Sequence, residues 1–232
     1  MPYFPSGSIN QAGVCDESRL VTAFGQLLDC LSFLHARGVT HRDIKPDNVL
    51  VELTPHFKVV LTDFGLSRAV TATTWLNSFC GTPLYMAPEV FPFTNSTYGP
   101  PADFWSLGVV ALEWLYGIPA TAKCPASRSA PGTAFQNQWF TWSHNWFARL
   151  IAHLRDQEDR VDIDLLQRML ATDQTKRWTA NWCLVTGLER GLFKRRLVDG
   201  LVTWGLDGEE EANANLAGGD EVLSPESSSE AT

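Results

Sequence analysis

The stretch "PADFWSLGVVALEWLYG", residues 101–117, constrains the fold of this chain more than any other. Wound as a helix it is apolar on nearly every side, and such a helix has no face to offer water. It is too short to span a bilayer, and it carries Glu113. It is therefore expected at the centre of a helical body with other elements packed around it. The chain has the material for this: 232 residues, 44% of them hydrophobic, suffice for one large domain or two small ones.

Other elements follow from pattern. In "DESRLVTAFGQLLDCLSFLHARG" the residues Leu20, Phe24, Leu27, Leu28, Leu31 and Leu34 recur at helical spacing, with Asp16 as N-cap and Gly38 as stop. Next come two short β-like runs, "NVLVEL" and "FKVVLTDF", joined by the turn-forming "TPH". The region from Leu66 to Pro92 is irregular and punctuated by Gly and Pro, longer than a connector requires, as functional loops often are. "NWFARLIAHL" and "IDLLQRML" read as further helices, separated from the central one by an Ala-, Ser- and Pro-rich stretch between Pro119 and Gly132. The tryptophans of "WFTWSHNW" are expected in packing roles.

Charge and cysteine content exclude several function classes. The net charge of −8 comes from residues 207–232, which hold eight acids and no bases, so Met1 to Leu206 is balanced at 18 acids against 18 bases. A neutral body argues against a nucleic-acid binder, which needs a basic stripe. The acidic tail, 207–232, with few large apolar groups, is expected to be disordered. Five scattered cysteines without a C-x-x-C pair indicate neither a disulfide framework nor a zinc site. With no leader-like start and no membrane-length apolar run, an intracellular protein, cytoplasmic or nuclear, is expected.

Three short sequences then carry chemistry: "HRDIKPDN" at 41–48, "DFG" at 63–65 and "GTPLYMAPE" at 81–89, supported by "ADFWSLGV" and "DQTKRWTA". Together, in this order and at these separations, they resemble the eukaryotic protein-kinase family of serine/threonine type. The likeness runs from about Met1 to about Leu201. It implies a mainly α fold, that of the kinase C-terminal lobe with a small β-hairpin near the catalytic loop and without the N-lobe β-sheet. Residues 1–10 would be a hinge-like segment and 11–201 the lobe, with catalytic loop 41–48 and activation segment 63–89.

The resemblance also implies roles. Asp43 would accept or orient the substrate hydroxyl proton, and Lys45 would set a cation beside the transferred phosphoryl group. Asn48 and Asp63 would supply the hard oxygen ligands that Mg²⁺ prefers. Pro2, Phe4 and Leu50 would line the adenine site of ATP. In the activation segment Ser78 would accept a regulatory phosphate clasped by Arg42 and Arg68, while Thr82 marks the Ser/Thr branch. Asp47 and Glu113 match positions where a substrate arginine would be paired. Glu89 with Arg177, and Asp103, would be structural, and His41 with Phe64 would pack in the internal spine. The partners implied are a protein with a Ser/Thr acceptor, an upstream kinase, and a partner covering an exposed cleft; neither nucleic acid nor membrane is expected.

One part of the family pattern does not occur. No G-x-G-x-x-G precedes the catalytic loop, and the fourteen residues before Cys15 cannot form a five-stranded lobe with its lysine strand. The expectation is a kinase catalytic domain that starts at the hinge and lacks its N-lobe. The alternative is an inactive kinase-like scaffold or decoy. A bare lobe would expose more apolar surface than the roughly 300–600 Å² typical of a monomer.

Overall fold

The computed structural model describes residues 4–64, 83–90, 99–120, 123–125 and 133–205. It is mostly helical: α1 (Glu17–His35), α2 (Pro100–Tyr116), α3 (Thr133–Arg155), α4 (Val161–Met169) and α5 (Ala180–Glu189), with two antiparallel hairpins, β1 (Val49–Glu52) with β2 (Lys58–Leu61), and β3 (Phe193–Arg195) with β4 (Val202–Trp204). Pro2, Arg68, Ser78, Thr82 and the tail 207–232 lie outside the described residues.

The central helix is where its composition requires it. Every residue of α2 from Ala102 to Leu112 is buried, and α1, α4 and the segment Pro83–Tyr85 pack around it. Gly108 lets α4 approach, since a Cβ there would come within 3.0 Å of Leu170. The helix starts with Pro100 at its first position, where the missing N–H costs nothing, and stops at Gly117 with φ 72°.

Asp16 caps α1 as its sequence suggests: its side chain accepts from the Arg19 N–H at 2.9 Å. The helix ends within three residues of Gly38, which adopts φ 71°. Its buried face meets α2 on one side, and α5 and the second hairpin on the other. In α3 the buried residues Trp139, Trp142, Trp146, Leu150 and Leu154 fall three or four apart, one face of a helix. A fully buried tryptophan removes about 150–250 Å² from water, ~4–6 kcal/mol before entropy is subtracted. That gain anchors a helix whose other face is polar.

The second hairpin is not among the elements legible from periodicity. Phe193 inserts its ring between two helices at glycine notches: a Cβ on Gly187 would lie 2.4 Å from the ring, and one on Gly25 2.9 Å from it. Gln26, buried in the middle of α1, ties the two hairpins together. Its amide donates to Val202 O (3.1 Å) and Phe57 O (3.3 Å) and its oxygen accepts from the Val59 N–H (2.9 Å). The signal available for this hairpin was the Asp199–Gly200 pair, where Gly200 takes φ 71°. The N-terminal residues pair with β1, through the Ile9 N–H to Val49 O and the Val51 N–H to Gly7 O, which seats 7–9 beside Leu50.

Candidate active site

Residues 41–48 form a loop between α1 and β1, closed by the one-turn helix Pro46–Asn48. The loop is suspended from Asp103, a fully buried carboxylate near the start of α2. One oxygen, Oδ2, accepts the His41 N–H (2.8 Å) and bonds His35 Nε2 (2.8 Å); the other accepts the Arg42 N–H (2.8 Å). These bonds hold Arg42 at φ 74°, a left-handed conformation that a non-glycine residue adopts only at a cost of roughly 1–3 kcal/mol. Two backbone N–H groups pointing at one buried carboxylate supply that cost. His35, in the last turn of α1, is thus a member of this anchor.

His41 works through packing and tautomer. The Asp43 N–H donates to its Nδ1 (3.3 Å), so the ring proton sits on Nε2, which donates to Thr62 O (2.9 Å). Its ring meets Phe64 edge-on at 4.8 Å. The Thr62 N–H in turn donates to Asn48 O at 2.9 Å. Thr62 and Phe64 are therefore both held on the loop, and Asp63 between them is exposed at φ 64°. Two sequences fifteen residues apart are brought together by one imidazole.

Around Asp43 the charges converge. Lys45 Nζ donates to Asp43 Oδ2 at 2.7 Å, and Asn48 Nδ2 donates to the same oxygen (3.0 Å) and to Asp43 O (2.7 Å). Asp43 and Lys45 keep a quarter of their side-chain surface exposed, so the pair faces solvent while rooted in the fold. The commitment of the Asn48 nitrogen to Asp43 leaves its carbonyl oxygen as the available ligand atom. With the Asp63 carboxylate this is an all-oxygen donor set, which suits Mg²⁺ and not zinc. Among the described residues no group of three His, Cys, Asp or Glu side chains could hold a metal by itself.

Tyr85 Oη donates to Glu113 Oε2 (2.7 Å). Burial first, then this hydrogen bond and the charges of Glu113 and Asp47, push the Tyr85 hydroxyl far above its ordinary value, so it is a neutral donor at any physiological pH. The expected substrate residue Glu113 is thus held by a hydroxyl that sequence reasoning passed over, although it lies inside "GTPLYMAPE", while Asp47 acts on it only through its charge. Glu89 and Arg177 are brought together in a bidentate pair, Nη1 to Oε1 at 2.5 Å and Nη2 to Oε2 at 2.7 Å. Leu50 is partly buried on β1 beside Ser8, and Phe4 is partly buried in the described N-terminal segment.

Comparison with known proteins bears on family and fold. The family model described as "Protein kinase domain" matches residues 3–186. "Probable serine/threonine-protein kinase fhkE" of Dictyostelium discoideum is 33% identical over 175 residues, covering 71% of this chain and 22% of the relative. "Serine/threonine-protein kinase cds1" of Schizosaccharomyces pombe is 36% identical over 170 residues, 71% of this chain and 34% of the relative. The chain thus spans about a third or less of the length of these curated relatives. A crystal structure of the Rad53 kinase domain and SCD2 superposes with a TM-score of 0.58 at 23% identity, covering 87% of this chain and 69% of that one, a likeness of fold. Among the described residues no helix is long and apolar enough to cross a membrane.

Proposed function

The chain belongs to the protein kinase family, on its serine/threonine side, and from that premise we propose that residues 41–63 carry the acceptor side of ATP-dependent phosphoryl transfer to protein Ser/Thr hydroxyls. The observation that carries the reading is the convergence of Lys45 and Asn48 on one oxygen of Asp43, suspended from buried Asp103.

In the proposed reaction Asp43 Oδ1 accepts the proton of the attacking hydroxyl. Its Oδ2 is occupied by Lys45 and Asn48, which fixes the orientation of the carboxylate. Lys45 also lies two residues from the base, close enough for its ammonium to offset charge gathering on the transferred group. Asn48 Oδ1 and the Asp63 carboxylate would hold magnesium, which when bound neutralises phosphate charge. Leu50, with Phe4 and Pro2, would contact adenine. Asp47 and Glu113 would pair an arginine of the substrate, and Tyr85 would orient Glu113 for it. Ser78, with Arg42 and Arg68, would form the phosphate-dependent part of the activation segment, Thr82 the Ser/Thr-specific part. Glu89, Arg177 and Asp103 serve as supports, and an upstream kinase and a partner over the cleft complete the proposal.

The test is transfer from labelled Mg·ATP to a serine peptide carrying upstream arginines. Asp43→Asn is expected to lower turnover by about 10² to 10⁴. Equal turnover by the Asn variant would overturn the assignment of the base. A docking module is the second reading. It is selected if the chain binds the peptide but transfers nothing, and if Asp43→Asn leaves that binding intact.

A further inference from the structure

Residues Pro83–Tyr85 form a single tight turn, and two helices hold its backbone carbonyls. From α2, Ser106 Oγ donates to Tyr85 O at 2.8 Å. From α3, the indole Nε1 of Trp146 donates to Leu84 O at 3.0 Å, across sixty-two residues of sequence. The Trp146 ring is fully buried. None of the signature sequences includes this tryptophan, and packing alone does not require its N–H.

The Leu84 carbonyl belongs to a planar trans amide whose other half is the Tyr85 N–H. Fixing that oxygen on α3 therefore fixes the direction from which Tyr85 leaves the turn. Tyr85 is the residue whose hydroxyl reaches Glu113, with Asp47 nearby. The chemistry-bearing Asp43, Lys45 and Asn48 hang from Asp103 instead, through bonds that do not involve α3. The turn thus has, besides the α2 helix that both share, an anchor on α3 that the catalytic loop lacks.

We propose that Trp146 is a positioning residue for the acceptor peptide: its indole N–H holds Leu84 O, so that Tyr85 presents Glu113 to a basic substrate. This rests on the kinase reading above, and it adds a residue on α3 to the substrate side of the site. It separates substrate affinity, set partly through α3, from turnover, set through α2.

The experiment uses the full 232-residue chain with Trp146→Phe, which keeps an aromatic ring in the slot but removes the N–H together with the second ring, and Trp139→Phe, two turns earlier on the same buried face, as the control that loses the same volume. Amide hydrogen exchange is followed by mass spectrometry, and KM and kcat are measured on the arginine-containing serine peptide. In Trp146→Phe exchange is expected to quicken several-fold in fragments covering 83–90, but not in those covering 49–61 or 193–204. The peptide KM is expected to rise about three- to tenfold, the range of one neutral hydrogen bond, with kcat within twofold. Unchanged exchange over 83–90, or a KM shift that Trp139→Phe reproduces, overturns the proposal. If the wild-type chain transfers no phosphate, the kinase reading fails on that count alone. Trp146 is then decided by exchange and by peptide binding in fluorescence anisotropy: weakened binding in Trp146→Phe supports its role, whereas equal binding, or none to the wild type, overturns it.

Discussion

Replacing Arg177 by methionine should be among the most damaging single changes in this lobe. Its guanidinium group has no exposed surface and makes five hydrogen bonds: two to Glu89, and one each to the carbonyls of Ala171, Pro101 and Thr172. It also lies 5.0 Å over the Trp105 ring. Arg177→Met leaves the Glu89 carboxylate, 9% exposed, without its guanidinium. Removing one member of a buried pair costs about 3–5 kcal/mol, because the remaining charge is uncompensated. The reverse change is milder. In Glu89→Gln the shape survives and the guanidinium keeps its three carbonyls, so the loss should be about 1–3 kcal/mol. The double variant has no buried charge left and should be more stable than Arg177→Met alone, although one substitution has been added. Urea unfolding decides this: with a slope of about 1–3 kcal/mol per molar, the Arg177→Met midpoint should fall by about 1 M or more at unchanged slope. Two results would refute the reasoning. One is an Arg177→Met midpoint within about 0.3 M of wild type; the other is a double variant whose loss equals the sum of the two singles, which would mean the residues act independently.

Three other outcomes follow from the packing. Gly187→Ala places a methyl 2.4 Å from the Phe193 ring and should destabilise by about 1–3 kcal/mol in thermal unfolding, with part of the loss recovered by adding Phe193→Leu; no recovery would mean the clash lies elsewhere. Gln26→Leu strips the Val59 N–H of its buried acceptor and should cost about 1–3 kcal/mol, with amide exchange quickening in both hairpins together, whereas an effect confined to one would deny that Gln26 couples them. Burial pushes the thiols of Cys30 and Cys124 up to about 11 and that of Cys183 up to about 12. Since the thiolate is the reactive form, raising the pH from 7 to 9 leaves these three almost wholly protonated. Iodoacetamide should therefore label exposed Cys15 ahead of them throughout that range, and prompt labelling of Cys183 in the folded chain would contradict its burial.

Some of this protein was determined by local sequence alone. A helix apolar all round can only be central, and Pro100–Tyr116 is. A helix with Asp16 before it and Gly38 after it has its ends set by hydrogen-bonding chemistry within three residues, and α1 obeys. The run 41–48 is legible as part of a family signature because its residues are contiguous, and the proposed base, cation and oxygen ligand fall within a few residues of one another. Such features are legible because the forces that set them act over one or two turns of chain.

What only the tertiary structure decided are the contacts that close over long separations. Nothing in "FLHARG" says that His35 will share with the catalytic loop the carboxylate of Asp103, which is sixty-eight residues away from it. A glutamine in the apolar face of α1 announces that it needs partners but not that they are two different hairpins. The seat for the turn at Leu84 depends on the rotation of α3, which brings Trp146 and not a neighbouring tryptophan to its carbonyl. The physical reason is common to all three. A buried polar atom must find a partner, but which partner it finds is fixed by the packing of surrounding apolar surfaces, and that packing is a property of the assembled core and of no single segment.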